Sequence, residues 1–239
     1  MIDCDKVLSG VEKIFSLYGT KSVYDSYGYG IDPEKTIDEF IVLNGKKYPL
    51  PYWRKKASIN KMKSVSLRIG KIVSVKINAC VGREVPMKRL AVQKCDLAEY
   101  LAVAQITEIK SFSNGRTANA IAKLDSGALA VFELSGCLDE NSTEQGVQTV
   151  FARNGFVSDK VPAQLLKNEA VHLFAQGKHE TFSDYSCNLY GFSEDELTRV
   201  SAIYSVLTGK TRTDDFCEKL SRLNAVADEI FGKSAGGGL

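Results

Sequence analysis

Two histidines are the most evident candidates for metal ligands in this chain. His172 and His179 stand on either side of residues 175–178, which have the composition of a hairpin turn, and Glu169 and Glu180 lie near them in the sequence. Imidazole and carboxylate groups are zinc ligands, but a zinc site needs three or four ligands at short spacing. We therefore predict no metal site and interpret both histidines as strand or surface residues.

Cysteine thiols are the other candidates for nucleophilic or metal chemistry. The six cysteines are Cys4, Cys80, Cys95, Cys137, Cys187 and Cys217. No two of them have the spacing of a metal-binding knuckle, and a chain of 239 residues can bury a core without disulfides. The first residues lack the basic and apolar regions of a secretory signal. We therefore expect six free thiols and a cytoplasmic location.

Residues 23–30 are rich in tyrosine and glycine and are the nearest approach to a phosphate-binding loop. They contain Gly28 and Gly30, but no third glycine follows at the dinucleotide spacing, and no buried strand precedes them. We interpret this segment as a loop. We therefore expect that this chain alone binds no nicotinamide cofactor.

Charge and hydropathy argue against nucleic-acid and membrane partners. The 31 basic and 29 acidic residues nearly cancel. The richest basic stretch, residues 53–56 followed by Lys61, Lys63 and Arg68, is typical of a solvated face rather than of a surface that follows phosphates. No apolar run approaches the ~18 residues that a membrane span requires.

The first 51 residues are predicted to form a helix and a hairpin. Apolar side chains recur at helical spacing over residues 7–18, and Gly19 follows as a stop signal. Residues 40–48 have the composition of two short strands joined by Asn44 and Gly45, a pair that favours a type I′ turn.

From residue 70 onward the pattern indicates a large sheet. Residues 72–81 alternate between apolar and polar side chains, which is typical of a strand with one buried face. Residues 94–104 have apolar side chains at helical spacing and are expected to pack on that face. Further strands are predicted at residues 106–112, 117–124, 128–135 and 147–152, from residue 156 onward, and in a hairpin around Gly177. The sheet then has at least five or six strands.

Two helices are predicted to close the chain. One begins at Ser193, with Glu196 at the capping-box position, and the other covers residues 213–231. The fold class is thus α+β, with a large, predominantly antiparallel open sheet, helices on one face, and a short helical and hairpin segment before it. We predict an N-terminal segment at residues 1–51, a main domain at 52–233 and a flexible tail at 234–239.

A series of short motifs occurs in a characteristic order. They lie at residues 52–54, 68–75, 95–101, 124–132, 152–155 and 200–209. In this order they resemble the second, substrate-binding domain of the Gfo/Idh/MocA oxidoreductases, which are named for glucose-fructose oxidoreductase and inositol dehydrogenase. The resemblance covers roughly three quarters of the chain. It implies a cleft in which Tyr52 and Arg54 bind substrate and Cys95 and Asp96 occupy the catalytic position.

The chain also departs from that family at positions that carry the chemistry. The family's dinucleotide fingerprint and its Glu-Lys-Pro segment have no counterpart here. Cys95 stands where the family has a catalytic histidine, and Ala91 stands where it has an aspartate. Without a bound cofactor and an imidazole to move the hydroxyl proton, hydride transfer by this chain alone is not expected.

Three functions are compatible with this resemblance. The first is a pseudoenzyme, a binding module or subunit for a sugar-like or small polar ligand, with a possible separate chain that binds the nucleotide. The second is a non-redox enzyme, such as an isomerase, lyase or cyclase, that uses the same cleft with Cys95 as nucleophile or acid. The third is a structural partner subunit. Whether the chain is an enzyme is left open, and any activity would be related to oxidoreductases.

One face of the predicted meander indicates self-association. Alanine-rich rows at residues 118–122 and 128–130 suit close packing of helices, which leaves Ile121, Leu129 and Val131 on the opposite face. An exposed apolar face of this kind often marks an association surface. The resembling family also associates through this sheet, so we expect a homo-oligomer.

Overall fold

The computed structural model describes residues 2–160, 170–183 and 190–232. The chain divides into two units. The first comprises the described residues of Met1–Ala57 and Tyr185–Ser221, and the second comprises those of Ser58–Asp184 and Arg222–Leu239. The sequence analysis predicted segments at residues 1–51, 52–233 and 234–239. The predicted tail and Cys187 lie outside the described residues.

In the first unit, one helix ends and another begins where the sequence predicts. Helix α1 covers Cys4–Tyr18 and ends at Gly19, whose φ of 61° is favourable for a residue without a Cβ. A later helix, Glu194–Leu207, is capped by Ser193 and Glu196 in a capping box. Both helices contribute to one apolar core, in which Val7, Val11, Ile41 and Ile203 are fully buried.

The sheet of the first unit has three antiparallel strands: β1 (Tyr27–Ile31), β2 (Glu39–Leu43) and β3 (Lys46–Pro49), in the order β1-β2-β3. Asn44 and Gly45 join β2 to β3 with φ angles of 48° and 79°. Positive φ at both turn positions is the type I′ geometry, so the predicted hairpin is confirmed.

The prediction of a loop at residues 23–30 is wrong for the part that forms β1. Tyrosine and glycine alternate here, so the glycines share one face of the strand. A Cβ on Gly30 would lie 2.6 Å from the ring of Phe40 on the neighbouring strand. Glycine is therefore needed inside this strand to make room for an aromatic ring, and it does not mark a phosphate-binding turn.

The second unit contains an eight-stranded mixed sheet. Its strands are β4 (Ile72–Gly82), β5 (Ile106–Ser113), β6 (Thr117–Leu124), β7 (Leu129–Leu138), β8 (Gln145–Ala152), β9 (Gly155–Ser158), β10 (Ala170–Ala175) and β11 (Lys178–Ser183). Their order is β11-β10-β9-β8-β4-β7-β6-β5. The predicted meander of β5, β6 and β7 is antiparallel, as expected. However, β4 pairs with β7 in parallel, which the sequence pattern did not indicate.

Three further α-helices are described: α2 (Ala57–Ser66), α3 (Met87–Ala102) and α5 (Asp214–Phe231). The helix Glu194–Leu207, described above, is α4. Helix α3 packs against β4 and β7. It begins at Met87 and not at residue 94, because Pro86 serves as its N-cap.

The two faces of the sheet differ as the sequence predicts. Ala118, Ala120 and Ala122 are buried, whereas Ile121 on the opposite face is 54% exposed and Leu129 is 44% exposed. The register of the meander is therefore confirmed. Within the residues that the structure describes, no helix combines the length and the apolar character needed to span a bilayer.

Candidate functional site

A short 3₁₀ helix, Tyr52–Lys55, carries both residues predicted to bind substrate. Trp53, between them, is buried, and its ring centroid lies 5.4 Å from that of Tyr52 and 5.9 Å from that of Phe216. The guanidinium of Arg54 lies over the Phe216 ring, with Cζ 5.0 Å from the ring centroid. The aromatic cluster thus fixes the 3₁₀ helix within the first unit.

A buried ion pair lies beside Tyr52. The Arg199 Cζ is 4.2 Å from the centroid of the Tyr52 ring. The Nε and Nη2 atoms of Arg199 donate hydrogen bonds to the Glu39 carboxylate at 3.0 Å and 2.7 Å. The Tyr29 hydroxyl donates a third hydrogen bond to Glu39 at 2.6 Å. One face of the Tyr52 ring is therefore held by a cation whose position is itself fixed.

Burial raises the pKa of the Glu39 carboxyl, and the charge and hydrogen bonds of Arg199 and the hydrogen bond from Tyr29 oppose that shift. Glu39 is 2% exposed and Arg199 is 5% exposed. Burial opposes the charge of Arg199, but the Glu39 carboxylate outweighs it and raises the pKa of the guanidinium. Burial and then the Glu39 charge raise the pKa of Tyr29, so its hydroxyl stays protonated and donates. Because the Glu39 carboxylate is already hydrogen-bonded to Arg199 and Tyr29, we interpret the cluster as a positioning device rather than as an acid–base pair.

The sequence interpretation missed Glu39, Arg199 and Tyr29. A signal for Glu39 exists, because it shares the buried face of β2 with Ile41 and Leu43. Arg199 likewise precedes Val200 within the buried stripe of α4. A charged residue in register with apolar neighbours is rarely buried without a partner, so such positions predict a buried pair.

The predicted catalytic residues, Cys95 and Asp96, belong to the second unit. Both are fully buried and lie in the middle of α3, because the helix begins at Met87 and not at residue 94 as predicted. Burial, and then the charges of Glu99 and Asp96, raise the pKa of the Cys95 thiol. A buried thiol of this kind is a poor nucleophile. A catalytic role for these two residues stays a prediction.

The buried polar side of α3 is held by a second ion pair. Glu99 accepts two hydrogen bonds from Arg222, at 2.6 Å and 2.7 Å, and one from the backbone N–H of Ile106 at 2.7 Å. Glu99 thereby joins α3 to both β5 and α5. Lys94, also buried, pairs with Glu144 at 2.5 Å. The buried charges of Glu99 and Lys94 on α3 are therefore paired with opposite charges, which is a structural role.

The open face of the second unit's sheet carries a groove of about 440 Å³ over β5, β6 and β7. Its lining alternates apolar and charged side chains, including Phe112, Ile121, Leu129, Lys110 and Glu133. No group of three or more His, Cys, Asp or Glu residues is arranged to hold a metal ion within the described part of the chain.

No protein-family model matches the chain, and no curated protein matches it. Solved structures do. The chain is similar to an oxidoreductase domain protein from Kribbella flavida, with 13% identity and a TM-score of 0.56, over 77% of this chain and 62% of that one. It is similar to UDP-N-acetylglucosamine 3-dehydrogenase from Acidithiobacillus ferrooxidans, with 12% identity and a TM-score of 0.56, over 76% of this chain and 60% of that one.

A third similar structure is an oxidoreductase from Agrobacterium radiobacter in complex with NAD+, L-tartaric acid and magnesium. It is 12% identical, with a TM-score of 0.55, over 79% of this chain and 62% of that one. The matched region thus spans about three fifths of the length of these structures. At such identities the likeness concerns the fold. The fold that the sequence resemblance implies is thereby supported.

Proposed function

We propose that this chain is a binding module or subunit of the oxidoreductase type, which binds a sugar-like or small polar ligand without NAD(P)-dependent activity of its own. The observation that carries the proposal is the topology of the first unit. Dinucleotide binding uses a parallel strand–helix–strand unit with a glycine turn before the helix. Here β1, β2 and β3 are antiparallel, and Gly28 and Gly30 lie inside β1.

The similar structures support the choice of ligand class. One is named for UDP-N-acetylglucosamine, a nucleotide sugar, and another contains L-tartaric acid, a small dihydroxy acid. Both molecules present several hydroxyl groups. A protein of the same fold that binds such a molecule needs directional polar groups on a rigid support.

Tyr52 and Arg54 are the groups that we assign to this ligand. Both stand on the 3₁₀ helix that Trp53, Phe216 and Arg199 hold in place. Guanidinium and phenol groups bind hydroxyl and carboxylate oxygens well. The nucleotide, where one is needed, would come from a separate chain. We propose a cytoplasmic location for the complex.

The proposal is tested by thermal unfolding of the purified chain with a panel of sugars, polyols and hydroxy acids. A ligand that binds only the native state raises the melting temperature, and a tighter ligand raises it more at the same concentration. For any such ligand, Arg54→Lys is expected to weaken binding about tenfold, because the lysine loses the bidentate geometry.

Arg212→Lys is the matched control, since Arg212 is exposed and lies in the same unit. The Arg212→Lys variant should bind the ligand with the same affinity as the parent chain. The proposal fails if no member of the panel raises the melting temperature, or if Arg54→Lys and Arg212→Lys bind equally well.

A further inference from the structure

The two histidines of the chain meet across the β10–β11 hairpin. Nδ1 of His172 lies 3.1 Å from Nε2 of His179. The hydroxyl oxygen of Thr181, which pairs with His172 in the strand register, lies 3.3 Å from each of these nitrogens. Two imidazole nitrogens and one hydroxyl oxygen therefore form a nearly equilateral triangle.

The size of this triangle matches that of a metal-binding face. Ligand atoms that bind Zn²⁺ at about 2.0–2.2 Å, with angles between those of octahedral and tetrahedral geometry, are about 3.0–3.5 Å apart. All three edges lie in this range. We propose that His172, His179 and Thr181 form a binding site for a divalent transition-metal ion that favours imidazole ligands, such as Zn²⁺ or Ni²⁺.

The surroundings hold the donors on one side and leave the other side open. The Phe174 ring stacks on that of His179, with centroids 4.3 Å apart and 2° between the planes, and Phe156 stacks on Phe174 at 4.6 Å. His172 is only 3% exposed. His179 and Thr181 are exposed or partly so, which leaves room for water molecules as further ligands.

In the metal-free chain the two rings share a hydrogen bond, and their centroids are 5.4 Å apart. Metal binding replaces this hydrogen bond and needs a modest tilt of the rings, so that both lone pairs meet the ion. The ring that donates this hydrogen bond must change tautomer on metal binding, so that each neutral ring then carries its proton on the nitrogen that does not bind the ion: Nε2 of His172 and Nδ1 of His179.

The sequence analysis predicted no metal site, because a site needs more ligands at closer spacing than two histidines seven positions apart. The hairpin removes that separation, since Phe174 pairs with His179 and His172 with Thr181. The third donor is a threonine hydroxyl, which is not among the usual zinc ligands. The proposal departs from the expectation of no metal site, because the register of the strands brings these donors together.

The test is calorimetric titration of the full chain with Ni²⁺ and with Zn²⁺, with imidazole NMR signals recorded in parallel. The chain has only two histidines, so every imidazole signal reports this site. We expect binding of one ion, with both imidazoles affected. His179→Gln should raise the dissociation constant at least about 10-fold, and Thr181→Val should raise it by less.

Glu180→Gln is the matched control, because Glu180 lies on the same strand and faces the opposite side of the sheet. It should bind as the parent chain does. His179 is exposed, so its replacement is not expected to impair folding. The proposal is overturned if neither ion binds, if His179→Gln binds as tightly as the parent chain, or if the imidazole signals stay unchanged while metal binds.

Discussion

Replacing Arg199 with methionine is expected to lower the free energy of unfolding by about 3–5 kcal/mol. Arg199 is the cation paired with the Glu39 carboxylate, which is 2% exposed. The variant removes the hydrogen bonds of the guanidinium and leaves a buried negative charge. It also removes the cation that lies over the Tyr52 ring. The loss is large because the desolvated carboxylate remains after its partner has gone.

Urea unfolding followed by fluorescence measures this effect. Trp53 is the only tryptophan, and it is buried in the first unit together with the ion pair. The midpoint should fall at an unchanged slope. Lys6→Met is the matched control, because the Lys6–Glu196 pair is exposed at Lys6 and should contribute less than about 1 kcal/mol.

The double variant Glu39→Gln with Arg199→Met should recover part of the lost stability, since it buries no unpaired charge. If Arg199→Met destabilises the chain no more than Lys6→Met does, the buried pair does not hold the first unit together, and the positioning of Tyr52 needs another explanation.

Placing a charge on the open sheet face should have the second largest effect. We propose that Ile121, Leu129 and the neighbouring Phe112 form a homo-oligomeric interface, because these apolar side chains are exposed beside one another on β5, β6 and β7. In a two-fold interface, Ile121→Asp introduces two carboxylates without partners. A total cost of about 3 kcal/mol would raise the dissociation constant on the order of 100-fold.

Light scattering after size exclusion measures the result. The parent chain should exceed the monomer mass of 26.2 kDa at tens of micromolar, and Ile121→Asp should elute as the monomer. Leu17→Asp is the control, since Leu17 is equally exposed but lies on α1 in the first unit. A monomeric parent chain would contradict the proposed interface.

Turn chemistry and alternation predicted most of the sheet correctly. Asn44-Gly45 and the turn at Gly177 were identified because their positive φ angles demand particular residues. Strand β1 was missed because tyrosine alternates with glycine there, and this is not the alternation of apolar with polar residues that indicates a strand. The parallel pairing of β4 with β7 was missed for another reason. A local sequence pattern predicts which face of a strand is buried, but it does not predict which other strands pair with it.

The site was less predictable than the fold, because its contacts join distant parts of the chain. Glu39 and Arg199 are 160 positions apart, and no local pattern links them. Tyr52 and Arg54 were identified through the resemblance to a known family, and the structure places them on an aromatic support that the sequence did not reveal. Cys95 was identified in the same way, but its burial depends on how α3 packs on β4 and β7.

Calorimetric titration of the chain with NADH and with NADPH tests the central claim most directly. The claim is that residues 1–57 provide no dinucleotide site, because β1, β2 and β3 form an antiparallel sheet in which Gly28 and Gly30 are strand residues. The account predicts no saturable heat for either cofactor, both alone and with a ligand that raises the melting temperature. A micromolar dissociation constant for NADH or NADPH would contradict it.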